Sequence, residues 1–167
     1  AILGTLLSLI AVIYFFVIPF VGEISTRLIT KENEIALGDM IYKNLIADYT
    51  VDTPATRLVN DIVHRIDFQT TYPLKVTVVH YKEKNAFALP GGHIVVFSGL
   101  LDKMNDYAEL AGLLSHEVSH INHQHSLRAM FRNLSSYIFI SVIFSDVNGI
   151  STVIVDNADK FKTLSFS

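Results

Sequence analysis

The motif His116-Glu117-x-x-His120 places two histidines and a glutamate within five residues of sequence. Residues four apart on an α-helix lie one above the other on the same face, so the two imidazoles can aim at a single point. Glu117 lies next to that point. Because the chain has no cysteine, the donors are neutral nitrogens, and an adjacent carboxylate makes this the arrangement that binds Zn²⁺ and leaves a base for its water.

The motif supplies only part of a catalytic zinc site, which normally has three protein ligands and an open position for water. His123 and His125 follow closely, but a continuous helix would place them about 300° and 500° around from His120, away from the motif's face. Other candidates are three aspartates that nothing in the sequence distinguishes: Asp146, Asp156 and Asp159. The third ligand is therefore either a residue that cannot be singled out or one beyond Ser167.

The composition bounds the class of protein. A chain of 167 residues suits one domain with its own core. Half of the residues are hydrophobic, 17% are charged and the mean hydropathy is +0.39, an excess that a membrane segment would explain. A net charge of −3 gives no basic field for nucleic acid, so we expect no nucleic-acid partner. The absence of cysteine excludes a disulfide framework and thiol catalysis.

The N-terminal stretch predicts a membrane anchor. Residues 2–21 contain no charged side chain and are long enough to span a hydrocarbon core of roughly 30 Å as a helix. A signal-peptide core and a buried helix are the alternatives. We expect a transmembrane anchor over 1–22 and, over 23–167, the N-terminal part of a catalytic domain that begins with a polar linker at 24–33. The chain starts apolar and ends abruptly, which indicates a piece of a longer protein; membrane sidedness and oligomeric state are not readable.

The segments before the motif change from helical to alternating periodicity. Apolar spacing predicts helices over about 35–49 and 53–66, the second with Thr53 as N-cap and Pro54 in its first turn. Residues 74–80 and 94–97 are typical of strands, and the Pro-Gly-Gly between them predicts a reversal, most simply a hairpin. An alternative interpretation is that an edge strand in the connection takes up an extended peptide by strand addition.

The motif helix itself is predicted from its cap and its apolar positions. Asn105 or Asp106 is the expected N-cap, and Glu109 suggests a capping box. The helix places two histidines and a glutamate among core-like residues, where a metal would compensate for their desolvation. A second apolar stretch at 136–155 is interrupted by Asp146, Asn148 and Gly149, which favours a buried or membrane-apposed helical hairpin over a complete span.

Three separated motifs resemble the gluzincin metalloendopeptidases of the HtpX, BepA, mitochondrial Oma and CAAX prenyl endopeptidase type. They are Asn85-Ala86-Phe87-Ala88-Leu89-Pro90-Gly91-Gly92, then Ser98-Gly99-Leu100-Leu101, and then Glu109 to His120 with His125 five residues further on. The likeness covers about residues 34–135, and the apolar segment before Glu34-Ile35-Ala36-Leu37-Gly38 is similar to that of bacterial membrane-anchored members.

This resemblance implies an α+β zincin-like fold, helix-rich, with a small sheet over the His-Glu-x-x-His helix. It also implies one Zn²⁺ held by His116 and His120, a third ligand from a Glu on a later helix, after Ser167, and Glu117 as the catalytic base. The strand Ala86-Phe87-Ala88 would lie beside the cleft, so Asn85, Ala86, Phe87 and Ala88 are expected to contact substrate.

We therefore expect a membrane-anchored zinc endopeptidase that cleaves protein or peptide substrates at or near a membrane, in a bacterial cell membrane and in protein quality control. As a fragment it could lack activity for want of the third ligand. Two alternatives remain. One is a non-catalytic, membrane-tethered chaperone or adaptor that keeps the fold and holds client chains. The other is a helix that a metal merely stabilises.

Overall fold

The computed structural model describes residues 2–144, which form parts of two compact units. The first unit includes residues 2–30 and 127–144, and the second includes residues 31–126. In chain order the elements are α1 (Ile2–Val12), a π-helical turn (Ile13–Val17), α2 (Ile18–Leu28), α3 (Lys31–Ile46), α4 (Thr53–Val63), β1 (Lys75–Val79), β2 (Ala86–Ala88), a 3₁₀ turn (Pro90–Gly92), β3 (His93–Phe97), α5 (Ser98–Leu101), α6 (Tyr107–Asn122) and α7 (His125–Phe144).

The apolar N-terminal segment is helical from Ile2 to Leu28, with the π-helical turn just before Pro19. Proline lacks the N–H that a regular helical hydrogen bond needs, and such turns accommodate irregular hydrogen bonding within a helix. Ser8–Leu28 is long and apolar enough to cross a membrane by length and composition. The expected polar linker at 24–33 is wrong for most of its length, because residues 24–28 continue the helix and residues 31–33 begin α3.

Three short strands form a mixed sheet in the order β1-β3-β2. β1 runs parallel to β3, whereas β2 runs antiparallel to β3, with Phe87 opposite Val95. The simple hairpin interpretation is therefore wrong for β1 and β3, since parallel neighbours need a crossover connection. The hairpin instead joins β2 to β3 through Pro90–Gly92, and β2 lies at the edge of the sheet.

The sheet separates two groups of helices. The even-numbered residues of all three strands share a buried core with α4 and α6: Val76, Val78, Ala86, Ala88, Ile94 and Val96 pack with Val59, Val63, Leu110, Leu114, Val118 and Ile121. Successive strand residues point to opposite faces. The odd-numbered side therefore faces α3, where Tyr42 stacks on His93 and bonds Thr77 at 2.9 Å. This arrangement confirms the predicted α+β fold with a small sheet over the motif helix.

The Pro-Gly-Gly turn fits directly against α3 because glycines leave room for the backbone. A Cβ on Gly38 would lie 1.9 Å from the carbonyl oxygen of Pro90, and a Cβ on Gly91 would lie 2.7 Å from Cα of Ile35. Gly91 also has φ of 78°, a conformation that other residues rarely adopt. The two glycines thus allow the turn between β2 and β3 to pack closely against α3.

The helix caps agree in part with the sequence. Asp52, rather than Thr53, caps α4, because its carboxylate accepts from the N–H of Ala55. The cap of α6 is Asp106, one of the two predicted candidates, and its Oδ1 accepts from the N–H of Glu109 at 3.0 Å. The Glu109 carboxylate reaches back to the N–H of Asn105 at 3.0 Å, one residue earlier than in a capping box.

The second apolar stretch begins within a long helix. α7 runs from His125 to Phe144. The interruption on which the predicted helical hairpin depended lies outside the described residues, as do the candidate ligands Asp146, Asp156 and Asp159 and the C-terminal residues near Ser167.

Candidate metal centre and substrate edge

The buried side of α6 sets the direction of the candidate metal ligands. Leu110, Leu114, Val118 and Ile121 are buried against the sheet, so the helix is held along its length. On the adjoining face, Nε2 of His116 and Nε2 of His120 lie 3.1 Å apart. The four-residue spacing therefore brings the two ring nitrogens to one point, as the sequence predicts.

This separation of the ring nitrogens suits a shared zinc ion. Two imidazole nitrogens bound tetrahedrally at about 2.0–2.1 Å from the metal would be about 3.3 Å apart. The donor type and the spacing thus fit two ligands of a zinc site. Within residues 2–144, no group of three or more His, Asp or Glu side chains could hold a metal ion. A third protein ligand would have to come from outside the described range.

Glu117 is buried beside the two histidines. Its side chain is 3% exposed, and Oε2 has no hydrogen-bond partner among the described residues. Burial raises the pKa of this carboxyl above its ordinary value, while the charge of His116 and a hydrogen bond from the backbone of Ala88 act in the opposite direction. A buried carboxylate oxygen without a partner is suited to a proton or a bound water.

His125 lies against His120, contrary to the expectation from a continuous helix. α6 ends at Asn122, and Gln124 has φ of 53°, so the chain turns sharply before α7 begins. The turn returns His125 to the motif, and its Nδ1 lies 2.7 Å from Nδ1 of His120. The polar run 122–125 was the only sequence signal for this break. The angles calculated for an ideal helix assumed that the helix continues through these residues.

The neutral form of His120 is favoured by its surroundings. Burial lowers the pKa of this imidazole below its ordinary value, and the neighbouring His116, His125 and His123 lower it further. Only the unprotonated nitrogen of a neutral imidazole can bind a metal. The environment of His120 therefore suits a ligand.

A buried carboxylate supports the turn between α6 and α7. Glu34 of α3 is fully buried, and its Oε2 accepts from Nε2 of Gln124 at 2.6 Å and from the hydroxyl of Tyr72 at 2.8 Å. Burial, followed by the bond to Glu34, raises the pKa of Tyr72 to about 12. The sequence pointed to Glu34 only as part of a resemblance, because no local pattern links it to residue 124.

The strand predicted to meet substrate is an edge strand whose backbone groups divide into two sets. The N–H of Leu89 donates to His93 and the N–H of Phe97 donates to Asn85, so the odd-numbered residues of this strand pair with β3. The alternation of an antiparallel ladder turns the backbone groups of Ala86 and Ala88 the other way. These two alanines therefore define the outward edge.

The backbone groups of Ala88 on that outward edge already make hydrogen bonds within the protein. The carbonyl of Ala88 accepts from the hydroxyl of the buried Ser126 at 2.6 Å, and the backbone of Ala88 also bonds Glu117. The four residues expected to contact substrate therefore differ in their surroundings. Phe87 is 2% exposed and faces α3. The carbonyl of Asn85 is bonded to β3. Ala86 is 7% exposed, and its backbone groups are directed away from β3.

Comparison with known proteins agrees with the resemblance seen in the motifs. The beta-barrel assembly-enhancing protease of Yersinia pestis is 29% identical over 118 residues, which are 68% of this chain and 24% of that protein. The mitochondrial metalloendopeptidase OMA1 of Arabidopsis thaliana is 40% identical over 73 residues, 44% of this chain and 15% of that protein. Its namesake in Schizosaccharomyces pombe is 28% identical over 161 residues, 89% of this chain and 48% of that protein.

The chain spans about a quarter of the length of the bacterial relative and less than half of the other two. The sequence profile of peptidase family M48 matches residues 52–165, a range that includes β2, the hairpin and the whole of α6. Since this match covers well over half of the chain, the protein belongs to peptidase family M48.

Proposed function

We propose that this chain carries the catalytic helix of a zinc-dependent endopeptidase that cleaves proteins or peptides at or near a membrane. The observation that carries the proposal is the convergence of Nε2 of His116 and Nε2 of His120, 3.1 Å apart, beside the buried carboxyl of Glu117. Family membership supports a metallopeptidase, and the nitrogen donors favour zinc as the metal.

In this proposal His116 and His120 are two of the three protein ligands. A bound Zn²⁺ would lower the pKa of a coordinated water toward about 7 and polarise the scissile carbonyl. The third ligand is expected to be a glutamate from a part of the protein after Ser167. Zinc affinity and activity are therefore properties to be measured on the full-length protein.

Glu117 is the proposed general base. Its unpartnered Oε2 can accept a proton from the attacking water and later return it to the leaving amine. Burial raises the pKa of the carboxyl, which makes the carboxylate a stronger base than an exposed glutamate. The bond from the backbone of Ala88 holds the carboxyl close to the strand where substrate would lie.

Substrate would bind as an added strand along β2. The outward-facing backbone groups of Ala86 are the proposed partners of the peptide, and Asn85 flanks them at the start of the strand. Main-chain pairing recognises an extended conformation rather than a side chain. We therefore propose that unfolded or flexible segments, rather than folded domains, are the substrates.

The membrane setting is supported by the apolar helix Ser8–Leu28 and by a relative named for assembly of β-barrels. We propose that the N-terminal helix anchors the enzyme in a bacterial cell membrane. The enzyme would then act in protein quality control there, with the catalytic domain outside the bilayer.

The test is proteolysis of casein by the full-length protein, purified in detergent. Cleavage should disappear when a chelator removes the metal and return when zinc is added. Binding of unfolded casein without any cleavage, with or without zinc, would contradict the proposal and favour the chaperone or adaptor. Loss of folded structure on chelation, with no binding of casein, would instead indicate a metal with only a structural role.

A further inference from the structure

The ring of His120 makes a close contact at each of its nitrogens. Nε2 lies 3.1 Å from Nε2 of His116, toward the proposed metal position, and Nδ1 lies 2.7 Å from Nδ1 of His125. A 2.7 Å separation of two ring nitrogens is a hydrogen-bond distance, so one of the two carries the proton. Which nitrogen carries it decides what the far side of the His120 ring can bind.

We propose that His125 is a positioning residue for the metal site: its Nδ1 accepts a hydrogen bond from Nδ1–H of His120. A neutral imidazole protonated at Nδ1 is unprotonated at Nε2, so this bond fixes the tautomer of His120 that binds a metal. Ligating histidines commonly donate their second N–H to an acceptor that orients the ring and increases its basicity. Here a second histidine takes the place of the usual carboxylate or carbonyl. The inference rests on the proposed function.

The residues on either side of His125 hold it in place. Before it, Gln124 adopts its left-handed conformation and donates from Nε2 to the fully buried Glu34 at 2.6 Å. After it, the hydroxyl of Ser126 donates to the carbonyl of Ala88 in β2 at 2.6 Å. The two anchors bind to α3 and to the edge strand, so the backbone at 125 is fixed from both directions.

His123 provides a matched comparison in the same turn. Its side chain is exposed, and its Nδ1 lies 2.8 Å from the carbonyl oxygen of Ser119 on its own helix. Its ring lies near that of His125, with centroids 5.5 Å apart, and the contact of its Nδ1 with Ser119 keeps that nitrogen on its own helix. A substitution at 123 therefore changes the local charge and polarity without removing the proposed acceptor.

The first test compares zinc affinities of the full-length protein, measured by competition with a chromophoric chelator. His125→Leu should weaken zinc binding by about 10- to 100-fold, the range for loss of an outer partner of a metal ligand. His125→Asn should restore most of the affinity, because the amide oxygen stands near the position of Nδ1. His123→Leu should change the affinity by less than about threefold. Equal affinity in wild type and His125→Leu would overturn the inference.

The second test needs no substitution, and so it decides the matter even if a variant at 125 fails to fold. Imidazole ¹⁵N shifts of the zinc-loaded, full-length protein should show Nδ1 of His120 protonated and Nδ1 of His125 unprotonated. The reverse assignment would overturn the inference. Wild-type protein that binds no zinc would overturn the proposed function as well, whereas zinc binding with the reverse assignment would overturn only the role of His125.

Discussion

Nε2 of Gln124 donates a 2.6 Å hydrogen bond to Oε2 of Glu34, joining α3 to the turn that follows the motif helix, across 90 residues of sequence. The same oxygen accepts from Tyr72, while Oε1 is buried with no partner among the described residues. Burying a carboxyl is unfavourable unless hydrogen bonds compensate it. These two donors therefore hold together the framework on which the proposed metal ligands depend.

Removing one of these donors should destabilise the protein. Tyr72→Phe deletes the hydroxyl that bonds Glu34 at 2.8 Å and should lower the free energy of unfolding by about 1–3 kcal/mol, because the carboxyl stays buried. Urea denaturation measures the change. Tyr107→Phe is the matched control, since Tyr107 is 70% exposed, and it should have almost no effect. Equal stabilities of the two variants would contradict a supporting role for Glu34.

The contact between α3 and the hairpin should be sensitive to a single methyl group. Gly38→Ala places a Cβ 1.9 Å from the carbonyl oxygen of Pro90, so the backbone must move, and we expect a loss of about 1–3 kcal/mol in urea denaturation. Gly112→Ala is the control, because nothing other than its chain neighbours and the nearby backbone of its own helix lies within 4 Å of the added Cβ on this exposed face of α6. It should stabilise the protein by up to about 1 kcal/mol. A neutral Gly38→Ala would show that the hairpin does not pack on α3.

The stability of the protein should fall as the pH drops below about 6.5, because of His93. Burial lowers the pKa of this imidazole below 6.5, although a 2.7 Å contact with Asp39 opposes the effect. The unfolded chain thus takes up a proton before the folded protein does. The stability present above pH 6.5 is then lost as the pH falls from that value toward the lower folded-state pKa, with a slope of at most about 1.4 kcal/mol per pH unit.

The measurement is urea denaturation of wild type and His93→Gln between about pH 5 and pH 7.5. In His93→Gln, the part of the pH dependence of the free energy of unfolding that is due to His93 should disappear. A bond from His93 also holds the pKa of Asp39 below 3.8, so the stability that Asp39 adds is lost only in a separate, more acidic range, as the pH falls through its folded-state pKa. Identical slopes in the two proteins would contradict a neutral, buried His93.

Much of the candidate site could be predicted because it lies on one helix. The α6 helix, its Asp106 cap and the shared face of His116 and His120 all follow from local spacing, which a helix converts directly into position. The strands at 75–79 and 93–97 were also evident from their composition.

What the sequence could not supply are contacts between distant segments. The parallel pairing of β1 with β3 depends on where the intervening chain passes, which periodicity does not encode. The same holds for Glu34 and Gln124, which are brought together by the fold. The prediction that His125 points away from the motif is wrong for a different reason. It assumed an ideal helix beyond Asn122, where α6 in fact ends.

Recognition through the backbone can be tested on the substrate rather than the protein. If the outward backbone groups of Ala86 pair with the peptide, replacing the substrate amide that pairs there by an ester removes one hydrogen bond. Scanning esters along a cleaved peptide should reveal one or two positions near the scissile bond where kcat/KM falls about 10-fold. Esters far from that bond serve as controls. A flat profile would contradict strand addition at β2.

Glu117 is the proposed base of a zinc endopeptidase, and Glu117→Gln in the full-length protein tests this role. The substitution keeps the size of the side chain but removes its capacity to accept the proton of the attacking water. We expect the variant to bind zinc as tightly as wild type, within about threefold, and casein cleavage to fall by at least about 10²-fold. A variant that binds zinc and still cleaves casein at the wild-type rate would contradict this role.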